Sequence, residues 1–145
     1  RGTTAASPTT RCSSWRSSGQ REPVRGLLVE DNDVYRDSLA FLLGRHEGVE
    51  VVGTVATAEA APAACVEAAA DVAIVDYRLP DYDGAEAAAM IRERSPSTAI
   101  VFLSASAGDE ERSAARRAGA DLLRKDEGVD TLVGAVRAAA GRSTA

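Results

Sequence analysis

The chain carries a single histidine, His46, and only two cysteines, Cys12 and Cys65. One histidine supports neither a histidine-based nucleophile triad nor a histidine cluster for zinc, so His46, in a polar segment, reads as a surface residue. Cys65 lies in an alanine-rich helical pattern, where a thiol packs as a small apolar group, whereas Cys12 lies in a polar stretch. Such unlike settings predict no disulfide, in keeping with a reducing cytoplasm. No apolar run approaches the ~20 residues that a membrane helix needs. Lysine is nearly absent: Lys125 is the only one among 17 basic residues. Where this chain needs positive charge alone it uses arginine, so a lysine kept at the end of an apolar run suggests work for a compact ammonium on a flexible stem.

What is present fits one folded unit. At 145 residues the chain is long enough for a single domain that buries about two-thirds of its unfolded surface. The net charge of −5 hides an asymmetry: residues 1–25 carry five Arg against Glu22, or +4, which leaves −9 on the rest. An acidic body argues against direct nucleic-acid binding through a basic face. Residues 1–22 are rich in Arg, Ser and Thr without apolar periodicity, and are expected to be a disordered tail, either an expression remnant or a misread start. A basic tethering arm is the functional alternative. The segment has no apolar core of a secretory signal and does not open on Met, and Trp15 within it reads as an exposed indole.

From Val24 onward, apolar runs and helical patterns alternate five times. The spacing predicts strands at 24–29, 49–55, 72–76, 99–103 and 121–124. Helices are predicted after Glu30-Asp31-Asn32-Asp33 with Gly44 as a stop, at 58–70 with Pro62 in the first turn, at 84–94, at 109–118 ending on Gly119, and at 129–140. Such alternation implies right-handed crossovers and an α/β fold with a doubly wound parallel sheet covered by helices on both faces. A flavodoxin-like strand order 2-1-3-4-5 sets the first and third strands side by side at the switch point, bringing Asp31 next to Asp76.

Four polar elements terminate the apolar runs: Glu30-Asp31, Asp76, Ser104 and Lys125. In a parallel sheet all four converge on the carboxyl edge, where open α/β sheets hold ligands. Each also has a plain structural reading. The run Glu30 to Asp33 suits a helix N-terminus as well as a cation, Asp76 could be a loop acid, Ser104 a turn serine and Lys125 a surface lysine. Their conjunction, in this order and at successive strand ends, favours a site. A hard divalent cation such as Mg²⁺ is bound by one or two carboxylates with waters, and Asp31 and Asp76 are the natural direct ligands, with Glu30 acting through a water.

This set resembles the receiver domain of bacterial two-component response regulators over roughly residues 24–141. The most specific piece is the loop Asp-x-x-x-Pro-x-x-Asp-Gly, which runs from Asp76 to Gly84. The resemblance implies a CheY-like fold in which Asp76 takes a phosphoryl group from a sensor histidine kinase. It further implies Mg²⁺ or Mn²⁺ with the backbone carbonyl of Arg78 as third protein ligand, and Lys125 and Ser104 on the transferred group. Ser104 would couple the modification to the face built from the fourth and fifth strands. Glu50-Val51-Val52-Gly53, Arg92-Glu93-Arg94-Ser95-Pro96, Gly119-Ala120-Asp121 and Val136-Arg137-Ala138-Ala139-Ala140-Gly141 are similar to the NarL/FixJ (LuxR-type) branch. For that branch the resemblance implies a cytoplasmic protein that forms a homodimer on phosphorylation, without membrane contact. It would reach DNA only through an output domain that this chain does not contain. Residues 23–141 would then be the receiver and 142–145 the start of a linker, unless the protein is a stand-alone receiver. Leu122 departs from the pattern: receivers commonly carry Tyr or Phe three residues before the lysine, as an aromatic rotamer switch.

Two rivals compete. Asp81-Tyr82-Asp83-Gly84 resembles the nucleophile loop of haloacid dehalogenase-type phosphatases, but the apolar strand ends at Asp76 and leaves Asp81 inside a proline-bearing loop. The other rival is an unphosphorylated receiver that acts only as a protein-interaction module. Such a module has no chemical need for Glu30, Asp31, Asp76, Ser104 and Lys125 together.

Overall fold

The computed structural model describes residues 22–144, so the expected tail at 1–21, with Cys12 and Trp15, lies outside the described residues. Five parallel strands, β1 (Val24–Val29), β2 (Val49–Val55), β3 (Val72–Asp76), β4 (Ala99–Ser104) and β5 (Asp121–Arg124), form one sheet in the order β2-β1-β3-β4-β5. The helices are α1 (Asp33–Gly44), α2 (Ala61–Ala68), α3 (Gly84–Arg94), α4 (Asp109–Ala118) and α5 (Val129–Thr144). The alternation of strands and helices thus yields the doubly wound order expected from it. Val29 pairs with Val75 across β1 and β3, so the residues that follow both strands emerge together at one edge.

Side chains alternate across each strand, which explains why the central runs are apolar throughout. Leu27, Val29, Ala73, Val75, Ile100 and Phe102 pack beneath α2, α3 and α4. Leu28, Ile74, Val101 and Leu103 face α1 and α5, against Leu39, Leu43, Leu132 and Val136. Each fully buried Leu, Ile or Phe contributes about 1.5–3 kcal/mol relative to an exposed one. All five residues of β3 are buried, so Asp76 is carried to the edge by a strand with little freedom to move.

Three elements differ in their bounds from the sequence expectation. The second helix is shorter than 58–70. Its C-terminus is closed by Ala69 in the left-handed region (φ 54°) and by the Arg25 guanidinium, whose Nη2 donates to Ala68 O at 2.7 Å and whose Nε donates to Ala69 O at 3.2 Å. At its front, the N–H groups of Ala58 and Glu59 donate to Asp81, not to a helical turn. The fourth strand extends through Ser104, whose carbonyl accepts from Lys125 N at 2.9 Å. The last helix continues to Thr144 because Gly141 weakens a helix by only about 1 kcal/mol without breaking it.

Candidate functional site

The acidic run after β1 divides its labour. Asn32 caps α1, its Oδ1 accepting from Tyr35 N at 2.9 Å, and Asp33 pairs with Arg36 at 2.7 Å. Glu30 turns inward instead and is 1% exposed, its Oε2 accepting from Asn32 N at 3.0 Å. Asp31 stays exposed at the rim, and Asp76, at the end of β3, is 6% exposed. Capping therefore occupies Asn32 and leaves the Glu30 and Asp31 carboxylates to the acid cluster.

Ligand oxygens of Glu30, Asp31 and Asp76 lie within 4.8 Å of one another. Lys125 reaches into this cluster from the β5–α5 loop, its Nζ 3.2 Å from Asp76 Oδ2 and 2.9 Å from Glu30 Oε1. The second contact is close but poorly aligned, and Glu30 Oε1 is buried without a proper hydrogen bond. We read the pair as an ion pair, because charge attraction at this separation does not depend on donor angle. Three carboxylates gathered within reach of one point, one of them with an oxygen that is ion-paired but lacks an aligned donor, suit a hard, oxygen-seeking divalent cation. Burial raises the Glu30 pKa above the usual glutamate value; the Asn32 N–H and Lys125 oppose this, and Asp76 reinforces it. Burial works against the Lys125 ammonium too, yet the Glu30 and Asp76 carboxylates outweigh it and raise the lysine pKa.

Backbone hydrogen bonds hold the remaining parts in register. Tyr77 N donates to Leu103 O at 2.8 Å and Arg78 N to Asp76 Oδ1 at 3.2 Å, so each Asp76 oxygen has its own donor. Ser104 is 3% exposed, and its Oγ accepts from Ala107 N at 3.0 Å and Ser106 N at 3.3 Å. Both bonds use the oxygen as acceptor and leave the hydroxyl proton available to a ligand. Ser104 thus fastens the loop between β4 and α4.

The β3–α3 loop is shaped by acids with structural duties. Asp83 Oδ1 accepts from Glu86 N at 2.9 Å while Glu86 Oε1 accepts from Asp83 N at 3.0 Å, a capping box that starts α3. Asp81 accepts from Ala58 N and Glu59 N at 3.1 and 3.0 Å. Slight burial would raise the Asp81 pKa, but these N–H groups hold it below the usual aspartate value. A carboxylate committed to two backbone amides is poorly placed to be a nucleophile, which removes the ground for the phosphatase rival. A Cβ on Gly84 would collide with the Tyr77 ring, so glycine is needed there for space.

The site thus gathers Glu30, Asp31, Asp76 and Lys125, with Ser104 on the neighbouring strand. Arg78 contributes its amide, while its guanidinium leaves the acid cluster and pairs with the buried Glu111 of α4 at 2.9 Å. His46 stands apart, 3.4 Å from Asp130. Sequence reasoning missed two neighbours. Tyr35 places its ring centroid 4.7 Å from Lys125 Nζ, and Glu111 receives both Arg78 and, at 3.3 Å, Ser106 Oγ. Neither had a signal at sequence level, since the partners lie on other elements.

Residues 27–137 match the response regulator receiver domain family. Among curated proteins, the chain is 33% identical over 122 residues to the DNA-binding transcriptional activator DevR/DosR of Mycobacterium tuberculosis, covering 83% of this chain and 56% of that protein. It is 34% identical over 81 residues to a protein-glutamate methylesterase/protein-glutamine glutaminase of Alkalilimnicola ehrlichii, covering 56% of this chain but 21% of that protein. Among solved structures, the signal receiver domain of the response regulator NarL from Mycobacterium tuberculosis superimposes with a TM-score of 0.77 at 31% identity, covering 83% of this chain and 98% of that one. The chain therefore spans about half the length, or less, of these curated relatives, and a nearly complete receiver domain.

Proposed function

The chain belongs to the response regulator receiver domain family, and from that premise we propose that Asp76 accepts a phosphoryl group from the phosphohistidine of a partner sensor histidine kinase. The observation that carries this reading is the nearly buried Asp76 carboxylate, with the Lys125 ammonium on one oxygen and the Arg78 amide on the other. An Asp76 oxygen attacks phosphorus as the P–N bond breaks. The electron pair of that bond passes to the ring nitrogen, and the imidazole leaves neutral when its other nitrogen carries a proton. The product is an acyl phosphate, a labile group suited to a transient signal.

Mg²⁺ or Mn²⁺, held by Asp31, Asp76, the Arg78 carbonyl and Glu30 through a water, would neutralise charge on the phosphoryl oxygens. Lys125 offers a point charge that can pass from the Asp76 carboxylate to the phosphoryl group. The Ser104 hydroxyl donates its free proton to the same group, and in doing so draws on the loop amides of Ser106 and Ala107 that it now fastens. Glu30 keeps Lys125 over the acceptor. Residues 23–141 form the receiver, with its last helix running on to Thr144. Modification would change the face formed by β4, β5 and α4, favouring a homodimer and releasing a DNA-binding output domain carried elsewhere in the protein. No helix among the described residues is long and apolar enough to cross a membrane. The reading assigns the protein to the cytoplasm.

Borohydride reduction tests the assignment, because it converts an aspartyl phosphate to homoserine. After treatment with phosphoramidate and Mg²⁺, homoserine is expected at position 76. Its appearance at another acid, such as Asp81 or Asp83, would refute the reading.

A further inference from the structure

Lys125 is bounded by three groups, and only two of them are acids. Its Nζ lies 2.9 Å from Glu30 Oε1, 3.2 Å from Asp76 Oδ2 and 4.7 Å from the centroid of the Tyr35 ring. The ring is no loose neighbour. Asn32 N donates to Glu30 Oε2, and Asn32 Oδ1 accepts from Tyr35 N, so the contacts close into a circuit running Glu30, Asn32, Tyr35, Lys125 and back to Glu30. Arg36 Nη1 donates to Glu30 O at 2.9 Å and braces the same turn. Tyr35 therefore sits on the first turn of α1 at a position fixed by the residues that also fix Glu30.

We infer that Tyr35 is a positioning residue that holds the Lys125 ammonium against Asp76. For its kinetic consequence this rests on the phosphoacceptor reading above; for the placement of Lys125 it rests on the contact geometry alone. A cation over an aromatic face is held by the ring quadrupole, more strongly where water is excluded. Here the ring borders a partly open pocket of about 110 Å³, where Leu39, Leu103, Leu123 and Leu132 meet the polar Arg124 and Glu127 and shield the contact in part. Glu30 and Asp76 are also oxygen donors of the candidate cation site, so their grip on Lys125 slackens when their charge is drawn to a metal. The Tyr35 ring has no charge to share and keeps its hold. A flexible lysine stem is thus aimed by a rigid partner that does not compete with the metal.

Lys125 is the only lysine of the chain, so isotope-labelled lysine yields a single side-chain spin system. In the native protein its ε-methylene protons are expected to be shifted upfield by the Tyr35 ring current, with and without Mg²⁺. Tyr35→Phe keeps the ring and should keep this shift and the native rate of phosphorylation by phosphoramidate. Tyr35→Leu should lose the shift and slow phosphorylation about three- to tenfold, the range of one cation–π contact, with the melting curve showing a folded protein. Tyr35→Met repeats the test should the leucine variant not fold. An unchanged shift in the aliphatic variants overturns the inference, as does a lost shift with a native rate, or a phenylalanine variant that behaves like leucine. If the native chain takes up no phosphoryl group at all, the phosphoacceptor reading falls. The ε-proton shifts would still decide whether Tyr35 places Lys125.

Discussion

Glu30 shows what a buried carboxylate requires. Ionised at 1% exposure, it has one backbone N–H, a misaligned ammonium and a second acid beside it, and the balance raises its pKa above the ordinary 4.5. An acid whose folded pKa is raised binds protons more tightly folded than unfolded, so its contribution is fully present below the unfolded value and is lost as pH rises through the folded one. In metal-free buffer the melting temperature of the native chain is therefore expected to fall relative to Glu30→Gln as pH climbs above the ordinary value of 4.5. A gap that is constant with pH would show that Glu30 is not held in this way. Lys125→Met leaves Glu30 and Asp76 facing each other without a cation. It is expected to cost about 2 kcal/mol in urea titrations, less than the ~3–5 kcal/mol of fully buried pairs because Lys125 is 23% exposed. At this scale the five site residues were legible because each ends an apolar run. Tyr35 and Glu111 were not, because a ring over a lysine and a carboxylate beneath an arginine depend on which elements the fold brings together.

Element boundaries show where local signals suffice. The start of α3 at residue 84 was expected from the sequence, and the structure supplies its cause, a capping box between Asp83 and Glu86. Asp83→Ala should destabilise the domain by about 1 kcal/mol, measured by chemical denaturation. Gly84→Ala should cost about 1–3 kcal/mol by forcing its Cβ into the Tyr77 ring, itself packed edge-on against Phe102 at 5.6 Å. Tyr77→Leu in the same chain should recover part of that loss in a double-mutant cycle, and simple additivity would show that the collision is not the cause. The ends of α2 were misjudged for the opposite reason. An alanine run contains no stop, and the stop is supplied by Arg25 from β1 and Asp81 from the β3–α3 loop. Local composition cannot report a cap that arrives from a distant strand.

For the whole molecule, topology was the most legible feature. Five alternations, right-handed crossovers and apolar runs of strand length leave few arrangements, and the observed order β2-β1-β3-β4-β5 is the one that sets Glu30 and Asp31 beside Asp76. The match of residues 27–137 to the receiver family follows the same span that the motifs outline. A relative such as DevR/DosR, of which the chain covers 56%, has length for a second unit, whereas a methylesterase relative of which it covers 21% has a different remainder. The stretch this chain shares with both relatives is the receiver.

The central claim, that Asp76 is a metal-dependent phosphoacceptor, is tested most directly by intact mass after incubation with a small phosphodonor. The native chain with Mg²⁺ should gain one phosphoryl group, while Asp76→Asn with Mg²⁺ and the native chain without metal should gain none. An unmodified native chain that is folded and also forms no beryllofluoride complex, or a group retained by Asp76→Asn, would contradict the account.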